Sequence, residues 1–132
     1  MEILIVDDSW TVRVKFKNFL NDKGFIVHEA GNGIEALEVL RCCQSIKLVI
    51  SDLNMPEMDG MTFIALAKKE GMVKDIPIIV YTTELSMELK KEAQTHGVSA
   101  WVPKPFNQEK ILQVIIKLLS LDPASVFNQG KG

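Results

Sequence analysis

Lys47-Leu48-Val49-Ile50-Ser51-Asp52 is a short apolar run closed by a carboxylate. Its apolar character is continuous rather than alternating. A strand with one wet face alternates, so this one is buried on both faces, as a central parallel strand is. Three further runs follow the same plan. Ile3 to Val6 leads into Asp7 and Asp8, Ile78 to Tyr81 into Thr82, and Trp101-Val102 through Pro103 to Lys104. A fifth strand is read at Phe25 to Glu29. Between the strands lie segments of helical spacing. Val12, Phe16, Phe19 and Leu20 mark a helix over 10–22, and Ala36, Leu37 and Leu40 mark one begun by Asn32 with Glu35 as a capping box. Met61 to Glu70, Leu85 to His96 and Asn107 to Ser120 read as helices, the last apolar through Ile111, Leu112, Ile115 and Leu119. Gly24, Gly71 and Gly97 stand at helix ends, where a residue free to take positive φ is wanted. Strict strand–helix alternation predicts one α/β domain, a parallel sheet with right-handed crossovers and helices on both faces.

Ligands of open α/β sheets bind outside the carboxyl ends of the strands. That edge would collect Asp7, Asp8, Asp52, Thr82 and Lys104. Three carboxylates held close repel one another and take up protons unless a cation neutralises them. Mg²⁺ fits, since it keeps several waters and uses one or two carboxylates, and Mn²⁺ accepts the same ligands. Lys104 offers a point charge and Thr82 a hydroxyl to an incoming phosphoryl oxygen. Asp can act as a nucleophile and form an aspartyl-phosphate. Asp52, alone at the end of the central strand, is the candidate. Asp7 and Asp8, adjacent in sequence, read as metal ligands. Lys104 is expected to find a partner for its charge only when phosphate is present.

These segments carry a family resemblance. Ile5-Val6-Asp7-Asp8-Ser9, Ser51-Asp52-Leu53-Asn54-Met55-Pro56 with Asp59-Gly60, Tyr81-Thr82-Thr83-Glu84 and Lys104-Pro105-Phe106, in this order, resemble the receiver domain of bacterial two-component response regulators. The single-domain chemotaxis type is most similar, over about residues 3–119. The resemblance implies a flavodoxin-like, doubly wound (βα)5 sheet in the order 2-1-3-4-5, an order that chemotaxis receivers share. It implies Asp52 as phosphoacceptor, and Mg²⁺ held by Asp7, Asp8, Asp52 and the Asn54 backbone carbonyl. Thr82 would be the switch hydroxyl, Lys104 the phosphoryl-binding lysine, and Pro105 the proline after a cis bond. Asn54 and Glu84 would tune phosphoryl lifetime. Thr83 and Trp101 depart from the commonest pattern. A bulkier Thr83 would narrow access to the phosphoryl group, and Trp101 stands where a smaller aromatic usually switches. The donor would be a phosphohistidine on a histidine kinase or phosphotransfer protein. A downstream protein would bind the face of the fourth helix, fifth strand and fifth helix, the receiver itself being a monomer or weak dimer.

Composition agrees with a small folded domain. The chain has 132 residues, 47% hydrophobic and 24% charged, with a net charge of −2. It carries no Lys/Arg block, which argues against direct nucleic-acid binding. It has no apolar stretch of membrane length and no secretory leader, so a cytoplasmic location and no membrane insertion are expected. Cys42 and Cys43 are read as two packed thiols, and His28 and His96 as structural. Residues 1–120 are expected to form the receiver and 121–132 a disordered tail. Three rival readings are an aspartate-nucleophile phosphohydrolase, a receiver cut from a longer regulator with a DNA-binding output, and a docking module that is never phosphorylated. The phosphohydrolase usually has a second acid two residues after its nucleophile, where this chain has Asn54.

Overall fold

The computed structural model describes residues 1–105 and 107–122, so Phe106 and most of the expected tail lie outside the described residues. Five strands and five helices alternate: β1 Glu2–Val6, α1 Trp10–Asp22, β2 Ile26–Ala30, α2 Gly33–Cys42, β3 Ile46–Ser51, α3 Gly60–Lys69, β4 Ile78–Thr82, α4 Met87–Thr95, β5 Ala100–Pro103 and α5 Gln108–Leu119. The strands form one parallel sheet in the order β2-β1-β3-β4-β5. No described helix is long and apolar enough to cross a membrane.

Both faces of the sheet are covered. Leu4, Val6, Val49, Ile78 and Val80 pack into one core layer with residues of α2 and α3, while Ile3, Ile5, Leu48, Ile50, Ile79 and Tyr81 pack into the other with α1 and α5. The β1–β3 register shifts between Glu2 and Ile3, so Ile46 joins the first layer out of the alternation of Leu48, Val49 and Ile50. Cover on both faces accounts for the apolar run Leu48-Val49-Ile50 of the central strand.

Side chains start every helix. Ser9, Asn32, Asp59, Ser86 and Asn107 each accept a hydrogen bond from the backbone N–H three residues on. At Asn32 the reciprocal bond differs from a capping box: Glu35 Oε1 accepts from the Gly31 N–H, and Oε2 from the Asn32 side chain. Gly24, Gly71 and Gly97 all have positive φ, as their helix-end positions predict. The cysteines correct one expectation. Only Cys43 packs against the core, and Cys42 is exposed.

Candidate functional site

Hydrogen bonds one step beyond the strands pin the residues at the carboxyl edge. The Asp7 N–H donates to the Ala30 carbonyl (3.0 Å), the Asp52 N–H to Val6 (2.9 Å) and the Lys104 N–H to Thr82 (2.9 Å). Side chains leaving these positions are therefore aimed by the sheet itself. β1 and β3 are neighbours while the β1–α1 and β3–α3 connections leave on opposite faces, which opens a crevice between them. Asp7, Asp8 and Asp52 meet there, each offering an oxygen within 4.8 Å of the others'. Asp7 and Asp52 are buried, and Asp8 is exposed. Two buried anions and one at the mouth form an oxygen donor set suited to a hard divalent cation.

Lys104 closes the site from β5. Its Nζ lies 2.7 Å from Asp52 Oδ2 and 2.9 Å from Asp7 Oδ2. This corrects the expectation that the ammonium is unpartnered until phosphate arrives. Two carboxylates buried side by side need a counter-charge, and Lys104 supplies it. The same ammonium stands 5.2 Å from the Tyr81 ring centroid. Burial opposes the charge on Lys104, but the hydrogen bonds it donates to Asp52 and Asp7 outweigh that and hold its pKa above the ordinary lysine value. Burial dominates at Asp7. It raises that carboxyl above the usual range against the Ser9 N–H bond and Lys104, with the Asp52 charge adding to the rise.

The raised value at Asp7 has a stability consequence. A carboxyl that is harder to ionise when folded destabilises the fold progressively as pH climbs from the unfolded carboxyl range through the folded value. Asp7→Asn removes that ionisation. In EDTA its melting temperature should therefore exceed the parent's near neutral pH, and the gap should narrow as pH falls toward 4. Thermal melts across pH check this. A variant less stable than the parent at neutral pH in EDTA would refute it.

The remaining predicted residues fall around this core. Thr82 is fully buried at the end of β4, and its Oγ1 accepts from the Glu84 N–H at 3.2 Å. Thr83 is exposed and lines a cleft with Val12, Phe16, Tyr81, Lys104 and Pro105. Asn54 is exposed in the β3–α3 loop. The Lys104–Pro105 peptide bond is cis. Trp101 is half-buried on the opposite face of β5 from Val102, where it lines a groove with Lys90, Ala93 and Gln94 of α4.

The structure adds residues that the sequence did not single out. Arg13 Nη1 donates to the Asp7 carbonyl at 2.6 Å, and its Nε pairs with Glu29 Oε1 at 3.1 Å. Lys17 reaches the same carboxylate at 3.6 Å. The spacing of Arg13 and Lys17 on one helix face was the available signal. Phe16 meets Tyr81 edge-on at 5.0 Å and fixes the ring beneath Lys104.

Comparison with known proteins agrees with this geometry. The family model for the response regulator receiver domain matches residues 3–116. Chemotaxis protein CheY1 of Helicobacter pylori is 38% identical, over 88% of this chain and 97% of its own. The CheY homolog of Campylobacter jejuni is 36% identical, over 90% of this chain and 92% of its own. The solved structure of Vibrio cholerae CheY4 superposes with a TM-score of 0.83 at 36% identity, covering 89% of this chain and 97% of that one. The chain belongs to the response regulator receiver family.

Proposed function

We propose that the protein is a phosphorylation-driven signalling switch of the chemotaxis type, which takes a phosphoryl group onto Asp52 from a phosphohistidine. One observation carries this reading: three aspartates share a crevice in which a lysine already touches the central one. An Asp52 carboxylate oxygen attacks phosphorus, the P–N bond breaks, and its electron pair returns to the imidazole of the donor. Such transfer is mostly positioning and charge stabilisation. Mg²⁺ would be held by Asp7, Asp8, Asp52 and the Asn54 carbonyl, and would supply positive charge to the transferring oxygens. Lys104 moves its ammonium from the two carboxylates to a phosphoryl oxygen, a short shift because it starts at hydrogen-bond distance. Thr82 exchanges the Glu84 N–H for the phosphoryl group, and Thr83, Asn54 and Glu84 at the mouth govern how fast water removes it.

The donor class fits the relatives. A segment of the Helicobacter pylori sensor histidine kinase CheAY, 15% of that protein, is 30% identical to this chain. A histidine kinase or phosphotransfer protein is therefore the partner proposed upstream. The downstream protein binds the α4–β5–α5 face once the switch is set, a population shift driven by contacts that only the phosphorylated state makes.

Metal dependence tests the chemistry. With acetyl phosphate and Mg²⁺ the intact protein should gain the mass of one phosphoryl group, and EDTA should prevent it. Undiminished labelling in EDTA would remove the acidic pair from the mechanism. The output side is read through Trp101. If Thr82 moves toward the phosphoryl group, the half-buried indole can turn into the space it leaves. In Trp10→Phe protein saturated with Mg²⁺, beryllofluoride should lower acrylamide quenching of Trp101. Equal quenching with beryllofluoride demonstrably bound would make Trp101 a static strand residue.

A further inference from the structure

We infer that Glu2, His28 and Cys43 form a second metal site, for Zn²⁺, at the end of the sheet opposite the aspartates. The three residues come from separate elements. Glu2 opens β1, His28 lies in β2 beside Leu4, and Cys43 caps the carboxyl end of α2. None has a role in the phosphoryl chemistry. Yet Glu2 Oε1 is 2.7 Å from His28 Nε2, and Cys43 Sγ is 3.5 Å from both.

The pattern is not that of a proton relay. A relay uses the two ring nitrogens of a histidine, one toward each neighbour. Here carboxylate and thiol converge on the same nitrogen, which can carry only one proton. Three donor atoms gathered at one point suit a shared cation better. Tetrahedral zinc, with Zn–S of about 2.3 Å and Zn–N and Zn–O of about 2.0–2.1 Å, places ligand atoms about 3.6 Å from sulfur and about 3.4 Å apart for nitrogen and oxygen. Both sulfur separations are already within about 0.1 Å of that geometry. Only the Glu2–His28 pair must open, by about 0.7 Å, and a glutamate side chain 25% exposed has room to do so.

The chemistry of the set selects the ion. Sulfur with imidazole suits zinc and not Mg²⁺ or Ca²⁺. Cys43 is held in place from two sides: its backbone N–H donates to Val39 at 2.8 Å, and Ser45 Oγ lies 3.4 Å from its sulfur. The register shift between β1 and β3 falls at Glu2, beside the cluster, where such irregularities re-aim side chains. All three residues are half-buried, so the fourth position opens to water. A bound ion would tie the edge strand β2 and the α2–β3 connection to β1. It would thus act on the stability of this end of the sheet and not on phosphoryl transfer.

Cobalt substitution provides the test, with the full chain and Mg²⁺ saturating the aspartate crevice. Co²⁺ should produce a sulfur-to-metal charge-transfer band that saturates at one equivalent and is displaced by Zn²⁺. Cys43→Ser should abolish the band, His28→Ala and Glu2→Gln should weaken Zn²⁺ binding at least about tenfold, and Cys42→Ser should leave both unchanged. Zn²⁺ should raise the melting temperature of the parent by more than that of Glu2→Gln, a substitution at a partly exposed strand end whose folding circular dichroism can confirm. Absence of the band from the folded parent, or a band that survives Cys43→Ser and is lost in Cys42→Ser, would overturn the assignment.

Discussion

Asp52→Asn is expected to abolish phosphoryl uptake completely while leaving the fold in place. The substitution is nearly isosteric, and the retained Oδ1 can still accept the Leu53 N–H, now made at 2.7 Å. What disappears is the nucleophile. An amide lacks the anionic oxygen pair that attacks phosphorus, and neither neighbouring aspartate is placed as its substitute. Asp7 is buried and bound by the Ser9 N–H and Lys104, while Asp8 lies at the exposed mouth. The variant also removes one of the two carboxylates that Lys104 bridges, so its Mg²⁺ affinity should fall as well. Incubation with acetyl phosphate and Mg²⁺, read by intact mass, should show full labelling of the parent and none of Asp52→Asn. Stoichiometric labelling of the variant would move the acceptor elsewhere and end the switch mechanism as proposed.

The sequence shows the sheet and one edge of the site for a physical reason. A strand buried on both faces has to be written as an unbroken apolar run, and Leu48-Val49-Ile50 is one. A polar residue that ends such a run projects at the sheet's carboxyl edge, so the sequence alone collects Asp7, Asp52, Thr82 and Lys104 there. Distances across that edge are not written locally. Lys104 is 97 residues from Asp7 and 52 from Asp52, and its double ion pair follows only from the neighbouring order of strands. Arg13 shares a helix face with Lys17 in the sequence, but its partners, a backbone carbonyl and a side chain on β2, are not written locally. The Glu2–His28–Cys43 cluster has no spacing signature at all. A β-strand residue, a second strand residue and a helix cap meet only because the β1–β2–α2 unit folds back on itself. On the proposed mechanism, phosphoryl binding by Lys104 would begin from a lysine already paired with Asp7 and Asp52. The proposed switch would then exchange one set of ion pairs for another rather than fill an empty site.

Gly60→Ala is expected to be the most destabilising single substitution tied to the site. Gly60 is the first residue of α3, and its N–H donates to the Leu53 carbonyl at 2.9 Å. A methyl there would overlap the Asp52 carbonyl oxygen and stand 2.9 Å from the Asp52 carbonyl carbon and the Leu53 Cα. All these neighbours are backbone, so nothing can rotate aside. Either α3 withdraws and loses its tie to the end of β3, or the backbone that carries Asp52 shifts. Overpacking a rigid site typically costs 1–3 kcal/mol, and a clash against backbone with a lost buried hydrogen bond should reach about 3 kcal/mol or more. Gly71→Ala is the control. It has φ +71 but nothing within 4 Å, so only backbone strain of about 1–2 kcal/mol is expected. The two variants should also differ at the crevice. Gly60→Ala should weaken Mg²⁺ binding because the Asp52 backbone moves, and Gly71→Ala should not. Urea melts and Mg²⁺ titrations of both proteins decide the matter. A Gly60→Ala protein within about 1 kcal/mol of the parent, with unchanged Mg²⁺ affinity, would mean that the β3–α3 loop yields freely and that close packing of α3 does not set the position of Asp52.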